Sequence, residues 1–153
     1  MHLAPEHPDQ ADVAALIAEL DAYQASLYPP EACYALDMAA LSQPEVVFIV
    51  ARDAQGLAQG CGAVVLGPAH GELKRMYVRP ACRGQGVAQR LLALLEAAAR
   101  QRGCQTLLLE TGPLQPEALR FYARQGFARR GPFADYPEHP LSVFMGKALG
   151  SGW

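Results

Sequence analysis

Gly71-Glu-Leu-Lys-Arg-Met-Tyr-Val-Arg-Pro-Ala-Cys-Arg-Gly-Gln-Gly-Val-Ala-Gln-Arg-Leu-Leu-Ala-Leu-Leu95 is the stretch that decides the fold. Its first part, Gly71 to Arg79, has strand chemistry and stops at Pro80. From Val87 onward the apolar residues fall at Val87, Leu91, Leu94, Leu95 and Ala98, which is helical spacing. Between strand and helix lies a turn carrying Arg83, Gly84 and Gly86. A glycine-rich turn that opens a helix leaves backbone N–H groups unpaired at the positive end of the helix dipole. Arg83 adds a full positive charge, so a phosphate or pyrophosphate is expected over the start of this helix.

Three anion-binding patterns compete for that turn. A nucleotide-binding P-loop needs Gly-Lys followed by Ser or Thr, and the chain has no such tripeptide. A dinucleotide fingerprint needs a third glycine where Gln89 stands. What remains is Arg83-x-x-Gly86-x-Ala88. This resembles the coenzyme A pyrophosphate loop, R/Q-x-x-G-x-G/A, of the GNAT acetyltransferase superfamily. Leu107-Leu-Leu-Glu-Thr111 is similar to the family's fifth strand, and Ala118 to Phe127 to its A-x-x-x-Y-x-x-x-G-F segment. Phe133-Ala-Asp-Tyr136 and Ser142-Val-Phe-Met145 resemble the ending of the small bacterial YsnE-type subgroup.

Length and composition bound the rest. The 153 residues suffice for one core, read as a single domain over 1–149 with a short tail at 150–153. With 51% hydrophobic and 18% charged residues the chain is globular. A formal charge of −2 with no basic stripe argues against nucleic acid as a partner. No apolar run reaches the ~18 residues of a membrane span. Cys33, Cys61, Cys82 and Cys104 have no metal or redox spacing and read as thiols in a reducing cytoplasm. No histidine or cysteine pair has ligand spacing, so no metal is expected.

Along the chain, a short edge strand precedes Pro5, and a helix follows with Val13, Leu16, Ile17, Leu20 and Tyr23 on one face and Asp9 or Asp12 as its cap. Pro29-Pro30 ends it, and a second helix is expected from about Glu31 to Leu41. Strands follow at Val46–Val50 and Leu57–Leu66, joined by an Asp53–Gly56 turn. Gly60 and Gly62 inside the second of these suggest a bulge or a close backbone approach. After the long helix come a strand at Thr106–Thr111, a helix at Glu117–Gln125, and strands at Phe127–Arg130 and Leu141–Lys147. This order suits an α/β (mixed α+β) domain with a sheet of about six to seven strands and helices on both faces. The resemblance implies the GNAT acyl-CoA N-acyltransferase fold.

The resemblance also implies chemistry: direct acetyl transfer from acetyl-CoA to a primary amine of a small molecule or peptide. Its rival is a non-catalytic acyl-CoA-binding module on the same fold. The cofactor arm would lie between two splayed strands, with contacts at Met76, Tyr77 and Val78 and a backbone N–H near Met76 facing the developing oxyanion. The diphosphate would lie on Arg83, Gly84, Gln85, Gly86, Val87 and Ala88, and further cofactor contacts would come from Thr111, Gln115, Ala118 and Tyr122. An alkyl amine with a pKa near ~10.4 needs a base, and Glu72 is the candidate. Tyr122 is the candidate acid for the leaving thiolate. Acceptor contacts are expected from Tyr28, Tyr34, Glu110, Asp135 and Tyr136, with Leu27, Met38, Phe133 and His139 in the surrounding walls. Exposed strand edges leave room for a homodimer.

Overall fold

The computed structural model describes residues 1–150 of the chain. The expected tail, apart from Gly150, lies outside the described residues. Among the described residues seven strands form one sheet, in the order β1-β2-β3-β4-β5-β7-β6. They are β1 (His2–Pro5), β2 (Val46–Arg52), β3 (Ala58–Leu66), β4 (His70–Val78), β5 (Thr106–Thr111), β6 (Ala128–Arg130) and β7 (Val143–Ala148). All neighbours are antiparallel except β4 and β5. Among the described residues the α-helices are α1 (Ala11–Leu27), α2 (Met38–Leu41), α3 (Val87–Gln101) and α4 (Pro116–Arg124).

Apolar side chains on the two sides of the sheet form separate clusters. Leu73, Leu107, Leu109 and Met145 pack with Leu91, Leu92 and Leu95 of α3 and with Tyr122 of α4. Phe48, Val50, Cys61 and Ala63 pack with Val13, Leu16 and Ile17 of α1 and Leu41 of α2. Each leucine fully removed from water contributes about 1.5–3 kcal/mol, so α3 is held mainly by its apolar stripe. That stripe differs from the expected one. Leu94 is 39% exposed and Leu92 is buried in its place. Glu96 is buried too, because Lys147 of β7 pairs with it at 2.7 Å.

Three other expectations change. Tyr23 is 41% exposed rather than on the buried face of α1. Gln10, not Asp9 or Asp12, is the N-cap residue of α1 and makes no side-chain cap bond. The Asp12 carboxylate is instead taken by Arg52 at 2.6 Å. The continuous helix from Glu31 to Leu41 is absent: a 3-10 turn at Pro30–Ala32 and a single turn at α2 flank extended chain. Two long side chains from β4 account for this. Lys74 Nζ donates to the Tyr34 carbonyl at 3.0 Å, and the Arg75 guanidinium donates twice to the Leu36 carbonyl. Those carbonyls are thus bonded to the sheet instead of to a following helical turn. The Asp37 carboxylate then caps α2 by accepting from the Ala40 N–H at 2.8 Å.

The strand irregularity expected near Gly62 is present in the β3–β4 ladder. The register shifts between Cys61, opposite Tyr77, and Ala63, opposite Lys74. Arg75 has a positive φ of 58°, a left-handed conformation costly for a non-glycine residue. It is held by the two bonds to Leu36 and by an ion pair with Asp21. Gly62 leaves space for the bulge: a Cβ there would run into Met76 and come within 3.0 Å of Leu95. The bulge resets the alternation of the strand. Leu73 before it and Met76 and Val78 after it all pack toward α3, whereas Tyr77 packs toward α1.

Candidate functional site

Parallel pairing between β4 and β5 covers only His70–Thr106, Gly71–Leu107 and Glu72–Leu108. Beyond that point the strands diverge, and the far half of β4 faces a gap. The gap opens into a cleft of about 910 Å³. Met76, Tyr77 and Val78 form one wall, Gly84, Gly86, Val87 and Ala88 lie at one end, and Gln115, Ala118, Phe121 and Tyr122 form the opposite wall. That volume falls within the range of cofactor-sized sites, about 300–1,000 Å³.

At the end of the cleft, Gly84 and Gly86 both have φ of 78°. Gly86 is the N-cap residue of α3 and supplies no side chain to the helix amides. Among the described residues, the backbone N–H groups from Gly84 to Gln89 have no hydrogen-bond partner. They form an open nest at the positive end of a helix dipole. Arg83 is folded back beside it. Its Nε donates to the Val78 carbonyl at 2.9 Å, and its guanidinium lies 5.8 Å from the centre of the Tyr77 ring. Gln85 and Thr111, both expected to touch cofactor, do not line this cleft.

Thr111 belongs to a second, smaller cavity of about 110 Å³. Its walls include Tyr28, Cys33, Tyr34, Lys74, Arg75, Glu110 and Leu141, and it shares Leu20, Met76, Gln115, Ala118 and Tyr122 with the cleft. Tyr122 therefore stands where the two spaces meet. Its ring is buried in edge contacts with Phe121 and Phe127, and its hydroxyl has no hydrogen-bond partner among the described residues. Burial pushes the phenol well above its usual pKa, so it keeps its proton at neutral pH.

The carboxyl group in the small cavity is Glu110, not Glu72. Glu110 has no ion pair among the described residues, and burial pushes its pKa up to about 7. The Ser142 hydroxyl and the Lys74 cation pull the other way, and the Glu72 charge adds slightly to the rise. Glu72 lines neither space. Lys74 pairs with it at 3.1 Å, and the Tyr136 hydroxyl donates to it. Tyr136 also lies outside the cavity lining, packed edge-on against Tyr34, Phe133 and Phe144. Asp135 is exposed and lines neither space. Met38 packs beside the cluster under α1, and Phe133 packs with Leu108 and Phe144. Leu27 is absent from both linings, as is His139, whose Nδ1 accepts from the Leu141 N–H.

Tyr28 and Tyr34 line the small cavity together with Glu110. Tyr28 donates to Gln115 Oε1 at 3.3 Å and accepts from the Leu114 N–H at 3.1 Å, linking the end of α1 to the start of α4. A Cβ at Gly112 would collide with the Tyr28 ring, so glycine is needed there. The sequence reading missed Lys74, Arg75 and Cys33 as wall residues. It named Glu110 as an acceptor contact but gave the base to Glu72, although Glu110 is the residue that breaks the apolar run Leu107-Leu108-Leu109 at the carboxyl end of a central strand. Ligands of α/β sheets gather at that end of the strands.

Residues 13–127 match the Acetyltransferase (GNAT) family, and the chain belongs to that family. It is 46% identical over 149 residues to an IAA acetyltransferase of Azospirillum brasilense, covering 96% of this chain and 97% of the relative. It is 37% identical over 152 residues to the N-acetyltransferase YsnE of Bacillus subtilis, covering 97% of this chain and all of the relative. An acyl-CoA N-acyltransferase candidate from Klebsiella pneumoniae superposes with a TM-score of 0.82 at 44% identity, over 97% of each chain. An aminoglycoside 6'-N-acetyltransferase solved with coenzyme A shares the fold, with a TM-score of 0.76 at 17% identity. Among the described residues, no cluster of three His, Cys, Asp or Glu could hold a metal ion, and no helix is long and apolar enough to cross a membrane.

Proposed function

We propose that this chain transfers the acetyl group of acetyl-CoA directly to a primary amine of a small molecule. One observation carries the reading: a carboxyl group and a phenol with opposite tasks, Glu110 and Tyr122, line the same small cavity, and Tyr122 also borders the cleft. The cleft fits the cosubstrate by its volume and by its open amides from Gly84 to Gln89. Those amides and the α3 dipole would hold a diphosphate. The unpaired edge of β4 would pair the amides of an extended arm, as an added strand does.

Acetyl-CoA supplies the activated acetyl thioester; the residues supply the rest. Glu110 takes a proton from the incoming ammonium. With a pKa near 7 it is a stronger base than an ordinary carboxylate and is still ionised in useful fraction at neutral pH. A backbone N–H of β4 near Met76 stabilises the oxyanion that develops on the carbonyl. Tyr122, a phenol kept protonated at neutral pH and more firmly so by burial, donates to the departing thiolate. The second proton that the nitrogen loses as the amide forms then restores the phenol. Arg83 lines the cleft, where its charge would face the diphosphate, and it also ties the glycine turn to the end of β4 through the Val78 carbonyl.

Thiol release from acetyl-CoA, measured across a panel of primary amines, tests this. Release that depends on the amine and falls roughly 10²-fold in Tyr122→Phe is the expected result. Coenzyme A binding with no turnover on any amine, and no effect of that substitution, would instead favour the non-catalytic acyl-CoA module. Reaction in the cytoplasm with a small soluble amine, by one chain or by a homodimer paired along a sheet edge, belongs to the same proposal.

A further inference from the structure

The small cavity has two cationic walls, yet neither cation is available to a ligand. Lys74 Nζ is engaged by Glu72 at 3.1 Å, by the Tyr34 carbonyl at 3.0 Å and by the Tyr136 hydroxyl. The Tyr136 hydroxyl in turn donates to Glu72. Arg75 is used by Asp21 and by two bonds to the Leu36 carbonyl, and its side chain is only 5% exposed. Glu110 is the carboxyl group in the lining, and it has no ion pair among the described residues. The charge that the cavity can offer an acceptor is therefore negative. Its volume of about 110 Å³, at ~10–15 Å³ of such space per water-sized group, holds on the order of ten non-hydrogen atoms.

We infer that the acceptor is a small primary amine carrying no anionic group, and that the Glu72–Lys74–Tyr136 cluster sets this selectivity by withholding the Lys74 charge from the cavity. The inference rests on the acetyl-transfer reading. An acceptor carboxylate next to its amine would enter beside Glu110, and no wall residue would be free to compensate it. Like charges so placed in a partly desolvated site are strongly unfavourable. Glu72 thus acts as a positioning residue, because it touches Lys74 and Tyr136 and not the cavity.

Norvalinamide and norvaline test the idea. They match in size and differ in charge next to the reacting amine. Thiol release with each is compared as kcat/KM, corrected for its free-amine fraction. The amide is expected to exceed the amino acid at least ten-fold. In Glu72→Gln, which leaves Lys74 without its counter-ion, this ratio should fall at least five-fold, mainly through KM for norvaline, with KM for acetyl-CoA unchanged. Tyr136→Phe should move the ratio the same way and guards against a folding defect in the first variant. Norvaline used as well as or better than the amide overturns the inference, as does an unchanged ratio in both folded variants. Turnover confined to large or anionic acceptors overturns it while leaving acetyl transfer intact. Absence of thiol release with every amine overturns the transfer reading itself.

Discussion

The cleft and the small cavity share Tyr122 but are built in opposite ways. The glycine-rich end of the cleft is contiguous chain: β4, a turn with two left-handed glycines, and the first turn of α3. Its useful groups are backbone amides, present whatever side chains surround them. The small cavity draws its walls from the end of α1, the extended segment before α2, β4 on both sides of its bulge, β5, the start of α4 and the segment before β7. Its properties come from which side chains already satisfy one another. Local geometry can thus specify a phosphate nest, whereas a selective acceptor pocket depends on charges that pair across long sequence separations.

The largest way to sharpen that contrast is at Glu110. Glu110→Gln should lower kcat/KM by about 10²–10³-fold, since the base is removed. In the unsubstituted protein the rate should rise through pH 7, where the carboxyl group ionises, and the variant should lose that limb. Stability should move oppositely. A carboxyl group whose folded pKa lies above its unfolded value favours the fold while protonated, and this contribution is lost as pH rises through about 7. Glu110→Gln should therefore melt higher than the parent at pH 8 and close to it at pH 4, a trade of stability against activity. Melting curves at the two pH values check this; a variant no more stable at pH 8 would place Glu110 in a wetter setting.

A smaller effect is expected in the cleft. Gly86→Ala should weaken coenzyme A binding roughly ten-fold and cost about 1–2 kcal/mol of stability. No protein atom lies within 4 Å of a Cβ at this position, so the stability cost arises from the φ of 78° and not from a clash. The affinity loss arises because a methyl group would stand where phosphate must approach the amides. Calorimetry and a denaturation curve separate the two, and unchanged affinity would break the assignment of the nest.

The smallest effect belongs to the segment that was expected to be a helix. Asp37→Ala removes the cap of α2 and should cost about 1 kcal/mol. Activity should change little, because Tyr34 and Leu36 remain tied to Lys74 and Arg75. A larger loss of activity than of stability would show that α2 itself shapes the acceptor cavity.

Most of the fold was legible because apolar periodicity and Gly/Pro punctuation are local signals. The four central strands and α3 appear within a residue or two of their expected limits. Gly62 announced the bulge, although not that Arg75 would carry the left-handed residue opposite it. The errors share one cause. Residues 33–37 have an acceptable helical pattern, but their carbonyls are claimed by side chains about 40 positions away. Glu72, the expected base, lines neither space and is paired with Lys74 and with Tyr136, 64 positions along.

By itself the chain determined the strand–turn–helix that would cradle a diphosphate, because nest, dipole and glycine conformations arise within a few consecutive residues. Tyr122 was singled out only through the resemblance of Ala118 to Phe127 to a family segment, and the structure buries it on a short amphipathic helix. Only the tertiary structure decided which acid stands in the small cavity and which cations are engaged beside it. Charge availability depends on partners brought together by the sheet and its bulge, and no spacing along the chain encodes those distances.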